Sequence, residues 1–259
     1  MMNGKAGLEE TRELIEKETG PFRVIRHVAE GRNSEISAVI QAGDDITFIK
    51  GLKAGHPRAW TQERERAVNP AVRRISPALK WSARDDQWDL NGFECVPGRH
   101  ADYTRGSADI ARVAATLRQL QEIPCPDMEM KQAARRWASY TDTPELLDGT
   151  SLLHTEWTPG NVLVGNRAYL VDWAWPTKGA AWIDPACWVV WLIASGHPPD
   201  SAEGCAAQVP SWQDAPGASV TEFARVQARM WAGIAAESTE PWTGSLAMAS
   251  SRWLSHRSS

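Results

Sequence analysis

The strongest constraint on how this chain folds is a change of hydrophobic rhythm at Pro97-Gly98. Before it, short apolar runs rich in β-branched and aromatic residues recur at 22–30, 35–43, 45–52, 77–83 and 87–96, with Gly31 and Gly43-Asp44-Asp45 among the turn signals. That pattern suits short antiparallel strands. Helices are predicted over 8–18 and over 57–69, the second closed by Pro70. After Pro97-Gly98 the spacing becomes helical. Residues 107–122 place Ile110, Val113, Leu117 and Leu120 on one face behind a Ser107 cap. Further helices are predicted over 128–141, 184–195 (Asp184 as cap, Pro185 in the first turn), 219–237 and 243–256. Residues 151–175 read as a loop and two strands, and the proline-rich stretch 197–217 as a surface loop. The fold class is therefore α+β, with a strand-rich lobe over 1–97 and a larger, mainly helical lobe over 98–259.

Composition narrows the partners. With 259 residues, 42% of them hydrophobic and 23% charged, the chain can bury a large core and is no disordered tract. A net charge of −4 supplies no basic field, so neither nucleic acid nor an anionic membrane is an expected partner. Cys95, Cys125, Cys187 and Cys205 lie far apart with no histidine at ligand spacing, which argues against zinc. The charged start from Lys5 to Glu18 is unlike a secretory signal, and the expected location is the cytoplasm. The 14 tryptophans point to a deep core or an aromatic-walled pocket.

The most informative stretch is His154-Thr155-Glu156-Trp157-Thr158-Pro159-Gly160-Asn161, followed by Asp172 in Tyr169-Leu170-Val171-Asp172-Trp173. Its spacing matches the H-x-D-x-x-x-x-N loop and the metal-binding aspartate of kinase-like phosphotransferases. The ordered set of strand-rich lobe, Lys50, helix, hinge, loop, Asp172 and Ile183-Asp184-Pro185 resembles the aminoglycoside phosphotransferase (antibiotic kinase) family over nearly the whole chain. The resemblance implies a two-lobed, protein-kinase-like fold, with nucleotide bound by the N-terminal lobe. It also implies transfer of the γ-phosphoryl group of ATP or GTP to a small-molecule hydroxyl, probed most naturally among antibiotics and related metabolites.

Roles follow from it residue by residue. Asn161 and Asp172 form a hard-oxygen pair suited to Mg²⁺. Glu156 falls where the family's carboxylate orients the acceptor hydroxyl, but it is one methylene longer than the usual aspartate. A displacement of roughly an ångström can cost on the order of a hundredfold in rate. His154 braces that loop, and Asp184 ties it to the following helix. Lys50 takes the place of the lysine that contacts nucleotide phosphates, with Glu63 or Glu65 as its helix partner, Glu65 preferred. Backbone N–H groups near Asn33 and Ser34 are candidates for phosphate contact, and the backbone of Glu94 and Val96 for the adenine edge. Trp173 and Trp175, beside the metal aspartate in sequence, are candidates for a wall of the acceptor pocket. Only eleven residues separate Asp172 from Asp184, too few for the activation loop and peptide platform of a protein kinase. Two rival readings remain: a pseudokinase, motivated by Glu156, and a biosynthetic kinase acting on a metabolite or peptide hydroxyl.

Overall fold

The computed structural model describes residues 4–28 and 34–259, so Asn33 of the predicted phosphate contact lies outside the described residues. The chain forms two compact units, one of Met1–Pro97 with Val171–Ala174, the other of Gly98–Leu170 with Trp175–Ser259.

The smaller unit begins with α1 (Gly4–Glu10) and α2 (Arg12–Thr19). The single helix predicted over 8–18 is interrupted at Thr11, whose hydroxyl donates to the Gly7 carbonyl at 2.9 Å and competes with the backbone ladder. Strands β1 (Arg23–His27), β2 (Ile36–Ala42), β3 (Asp45–Lys53), β4 (Leu79–Arg84) and β5 (Trp88–Glu94) make one sheet in the order β1-β2-β3-β5-β4. All its pairings are antiparallel. Leu8 and Ile15 cover Ile36, Ala38, Ile40, Ile49 and Leu90 on one face. Each buried Leu or Ile among them contributes roughly 1.5–3 kcal/mol. At Gly92 the indole of Trp81 packs directly on the backbone, where any Cβ would overlap it.

Between β3 and β4 runs α3 (Trp60–Val72), which continues through Pro70, where the sequence predicted its end. Its buried face carries Glu65, Val68, Asn69 and Val72, the i, i+3, i+4, i+7 pattern. Polar stitches fix this helix to the sheet. Arg66 pairs with Asp89 and donates to Asn91 Oδ1 at 2.9 Å, while Asn91 Nδ2 donates to Gln62 Oε1 at 2.6 Å. Asn91 stands opposite Lys50 in the β3–β5 register, so the helix is pinned level with that lysine.

The larger unit opens with β6 (Arg99–His100) and α4 (Asp109–Gln121). Ser107 Oγ accepts the Asp109 N–H at 3.2 Å at the start of α4. In place of a helix over 128–141 stand β7 (Lys131–Gln132), one turn of helix, α5 (Ala133–Arg136), and a 3₁₀ turn over Ala138–Tyr140. Strands β8 (Ser151–Leu153), β9 (Val162–Val164), β10 (Ala168–Leu170) and β11 (Thr177–Gly179) complete two small sheets, β10-β9-β6 and β7-β11-β8. Then come α6 (Ile183–Ala194), α7 (Pro199–Ala206), α8 (Pro210–Gln213), α9 (Gly217–Glu237) and α10 (Pro241–Arg257). The stretch predicted as a loop over 197–217 thus holds two helices. Pro199 and Pro210 each open one, at positions whose N–H has no intrahelical partner anyway. Much of the tryptophan is core: Trp137 and Trp182 meet Phe223 edge-on at 5.1 and 5.7 Å, and Trp188 and Trp253 are fully buried. No helix among the described residues is long and apolar enough to cross a membrane.

Candidate active site

In the smaller unit, β3 places Lys50 beside the middle of α3. Its Nζ donates to Glu65 Oε2 at 3.0 Å and also pairs with Asp172. Glu65, not the exposed Glu63, faces the lysine because it lies on the buried side of α3. Burial alone would drive Lys50 toward neutrality, but the two carboxylates outweigh it and its pKa moves up. Glu65 is pushed up by burial, with Lys50 opposing that rise and Asp172 adding to it. One ammonium thus serves two carboxylates, which leaves an excess negative charge suited to a cation.

Asp172 has φ 64°, the left-handed region, so the chain turns sharply there. The turn is held from the next residue: Trp173 N–H donates to Glu65 Oε1 at 3.2 Å and its indole N–H to Ser76 Oγ at 2.7 Å. Trp173 is buried, which corrects its reading as a pocket wall: its indole braces Asp172. The N–H of Glu94 is already donated to Ala78 O at 2.8 Å, which leaves only its carbonyl for an adenine edge. Val96 lies in the irregular chain after β5, and Ser34 just before β2.

In the larger unit, β8 delivers the His154–Glu156 loop. Thr155 has φ 70°, a strained conformation for a β-branched residue, at a cost of order 1–3 kcal/mol. The Asp184 carboxylate at the start of α6 sustains it by accepting the N–H groups of His154 and Thr155 at 2.9 and 2.7 Å. Asp184 therefore caps this loop and not its own helix. Burial raises its carboxyl to about 6 against the opposing pull of those two N–H groups. His154 is buried, and its Nδ1 accepts the Glu156 N–H at 3.3 Å. That assigns the proton to Nε2, and through Nδ1 the ring holds the Glu156 backbone. Asn161 Nδ2 donates to Glu156 O at 3.2 Å, which fixes the amide and leaves Oδ1 as the atom that could hold a cation.

Sequence reasoning missed Arg136. Its Nη1 donates to Thr155 Oγ1 at 2.7 Å and Thr177 Oγ1 at 3.0 Å, so it ties the strained loop to β11. Nothing in the sequence around Ala133-Ala134-Arg135-Arg136 signals this, because the partner hydroxyls come from β11 and the loop. Trp175 is partly exposed, with Lys131 Nζ 4.3 Å and the Arg136 guanidinium 5.6 Å from its ring. Among the described residues no cluster of three or more His, Cys, Asp or Glu stands ready to cage a metal. The carboxylate of Asp172 in the smaller unit and the amide oxygen of Asn161 in the larger are each hard oxygen donors of the kind that could hold an ion such as Mg²⁺.

No protein-family model and no curated protein matches the chain. Solved structures do. Choline kinase LicA from Streptococcus pneumoniae aligns over 97% of this chain and 98% of its own at TM-score 0.62 and 11% identity. Aminoglycoside phosphotransferase APH(4)-Ia aligns over 96% and 98% at TM-score 0.62 and 10% identity. Macrolide 2'-phosphotransferase MphH from Brachybacterium faecium aligns over 95% and 97% at TM-score 0.54 and 17% identity. A further LicA structure holds AMP, and one of an APH(4)-Ia mutant holds ADP and hygromycin B. This chain therefore has the α+β, two-lobed, protein-kinase-like fold that small-molecule phosphotransferases share.

Proposed function

We propose that this protein is a small-molecule kinase that transfers the γ-phosphoryl group of ATP or GTP to a hydroxyl of an antibiotic or related metabolite, in the cytoplasm, for resistance or self-protection. The observation that carries the reading is Lys50 held by buried Glu65 and paired with Asp172 at a left-handed turn. The nucleotides in structures of the same fold support it.

Asn161 and Asp172 would hold Mg²⁺, which would supply charge neutralisation at the transferring phosphate. Lys50, released from Asp172 and kept charged by Glu65, donates to the nucleotide phosphates. Glu156 orients the acceptor hydroxyl and takes its proton as the new P–O bond forms and the bond from Pγ to the leaving nucleoside diphosphate breaks. Asp184, His154 and Arg136 hold the Glu156 loop, and Trp175 forms a wall of the acceptor pocket.

Mg²⁺ with ATP or GTP is expected to raise the melting temperature of the wild type. A ligand at a hundredfold excess over Kd adds about 2.7 kcal/mol. Asp172→Ala should lose the metal-dependent part of that shift. No shift with either nucleotide would remove the kinase reading.

Glu156 itself motivates one alternative, a pseudokinase that binds without turnover. Glu156→Asp decides between the two. A fall in ATP turnover of about a hundredfold is expected if the pocket is built around glutamate, whereas a large gain would mark the natural site as impaired.

A further inference from the structure

The charges beside Glu156 speak to the acceptor. Across the sheet β7-β11-β8, Lys131 stands opposite Thr177, and Thr177 opposite Leu153, the residue that leads into the His154–Glu156 loop. Two strand spacings, roughly 10 Å, thus separate the Lys131 backbone from the base of that loop. Arg136 reaches the same place from α5. Its hydrogen-bond partners are all neutral oxygens: Thr155 Oγ1 at 2.7 Å, Thr177 Oγ1 at 3.0 Å and Trp175 O at 3.5 Å. All three engage Nη1, so Nε and Nη2 donate to no described residue. Trp175 lies beneath both cations, its ring 4.3 Å from Lys131 Nζ and 5.6 Å from the Arg136 guanidinium, while a second ring, Trp137, lies 5.1 Å from that guanidinium.

Burying a guanidinium with neutral partners alone is unfavourable. Burial does pull the Arg136 pKa down, and the fields of Glu156 and Asp184 oppose that shift without a hydrogen bond from either to the guanidinium. A planar fork with free donors, fixed at one nitrogen and stacked on indole, suits a carboxylate or phosphate oxygen pair. A polycation would meet two like charges there.

We propose that Arg136, Lys131 and Trp175 form an anion subsite beside Glu156, so that the acceptor is a hydroxy compound bearing a carboxylate or phosphate group. This rests on the small-molecule kinase reading and narrows it, away from aminoglycosides and choline. The free donors of Arg136 and the position of Lys131 then set which end of the acceptor faces Glu156.

The test uses the full chain and three matched polyols: gluconate, glucose and glucosamine, which carry an anionic, a neutral and a cationic group on similar frames. Calorimetric titration should rank gluconate above glucosamine by about tenfold or more, the worth of a charge-assisted hydrogen bond. Lys131→Met, at a partly exposed position, and Arg136→Lys, which keeps charge but loses the fork, should each remove most of that preference. Equal responses to all three, including none, overturn the proposal. So does a glucosamine preference, or variants that melt earlier while keeping the gluconate ranking, which would make Arg136 a loop brace only. Mg²⁺-ATP is titrated separately: a gluconate preference without nucleotide binding keeps the anion subsite and ends the kinase reading, and the converse ends the subsite alone.

Discussion

Asp184→Ala is expected to destabilise the larger unit by about 3–5 kcal/mol and to abolish any turnover that depends on Glu156. The substitution leaves the N–H groups of His154 and Thr155 buried without an acceptor, at roughly 1–3 kcal/mol each. It also removes what holds Thr155 at φ 70°, so the loop relaxes and Glu156 moves with it. Urea unfolding measures the loss, and a deficit under about 1 kcal/mol would show that Arg136 alone sustains the turn. Asp184→Asn adds a pH signature. Burial sets the native carboxyl at about 6, above its unfolded value of roughly 3.9. The proton is bound more tightly by the folded state, so this group's contribution is full below pH ~4 and is lost as pH rises through about 6. The wild type's lead over the non-titrating Asn variant should therefore shrink across that window and stay level above it.

Lys50→Met should be comparably damaging in the smaller unit. It strands Glu65 and Asp172 near each other with the shared cation gone. Breaking a buried pair in this way costs about 3–5 kcal/mol at neutral pH. Both burial and Asp172 raise the Glu65 carboxyl, and without Lys50 nothing there opposes them but the Trp173 N–H. A carboxyl raised in the folded state gives stability at low pH that is lost as pH rises, so the variant should be hurt more at pH 8 than at pH 5. Urea melts at both values read this directly; a deficit of equal size at the two would contradict it. Phosphoryl transfer, where it is measured, should fall by a hundredfold or more.

The five strands and α3 were legible from local pattern: β2 and β3 are runs rich in apolar and β-branched residues, and the face of Glu65, Val68 and Val72 repeats at helical spacing. What escaped depends on distant partners. Lys131 and Gln132 sit in a run of good helix formers, yet the parallel pairing with Thr177 and Lys178 draws them into extended chain. Proline was read as a breaker at Pro70, Pro199 and Pro210, but it continues one helix and opens two. In the site, residue order was enough to put Lys50 and Glu65 on neighbouring elements. The bracing work of Trp173 and Arg136 was not visible, since each acts through a hydroxyl remote in sequence, Ser76 for one and Thr155 and Thr177 for the other.

Four residues, Val171–Ala174, belong by packing to the smaller unit although the chain on both sides of them belongs to the larger. Neither unit is thus an exchangeable cassette. In a chimera of two such proteins joined at Pro97-Gly98, the carboxylate that meets Lys50 would always come from the other parent, together with the tryptophan that docks on Ser76. Recombination at that junction therefore tests the match between a lysine and an aspartate 122 positions apart in the chain, and a working hybrid would need both parents to agree on that turn.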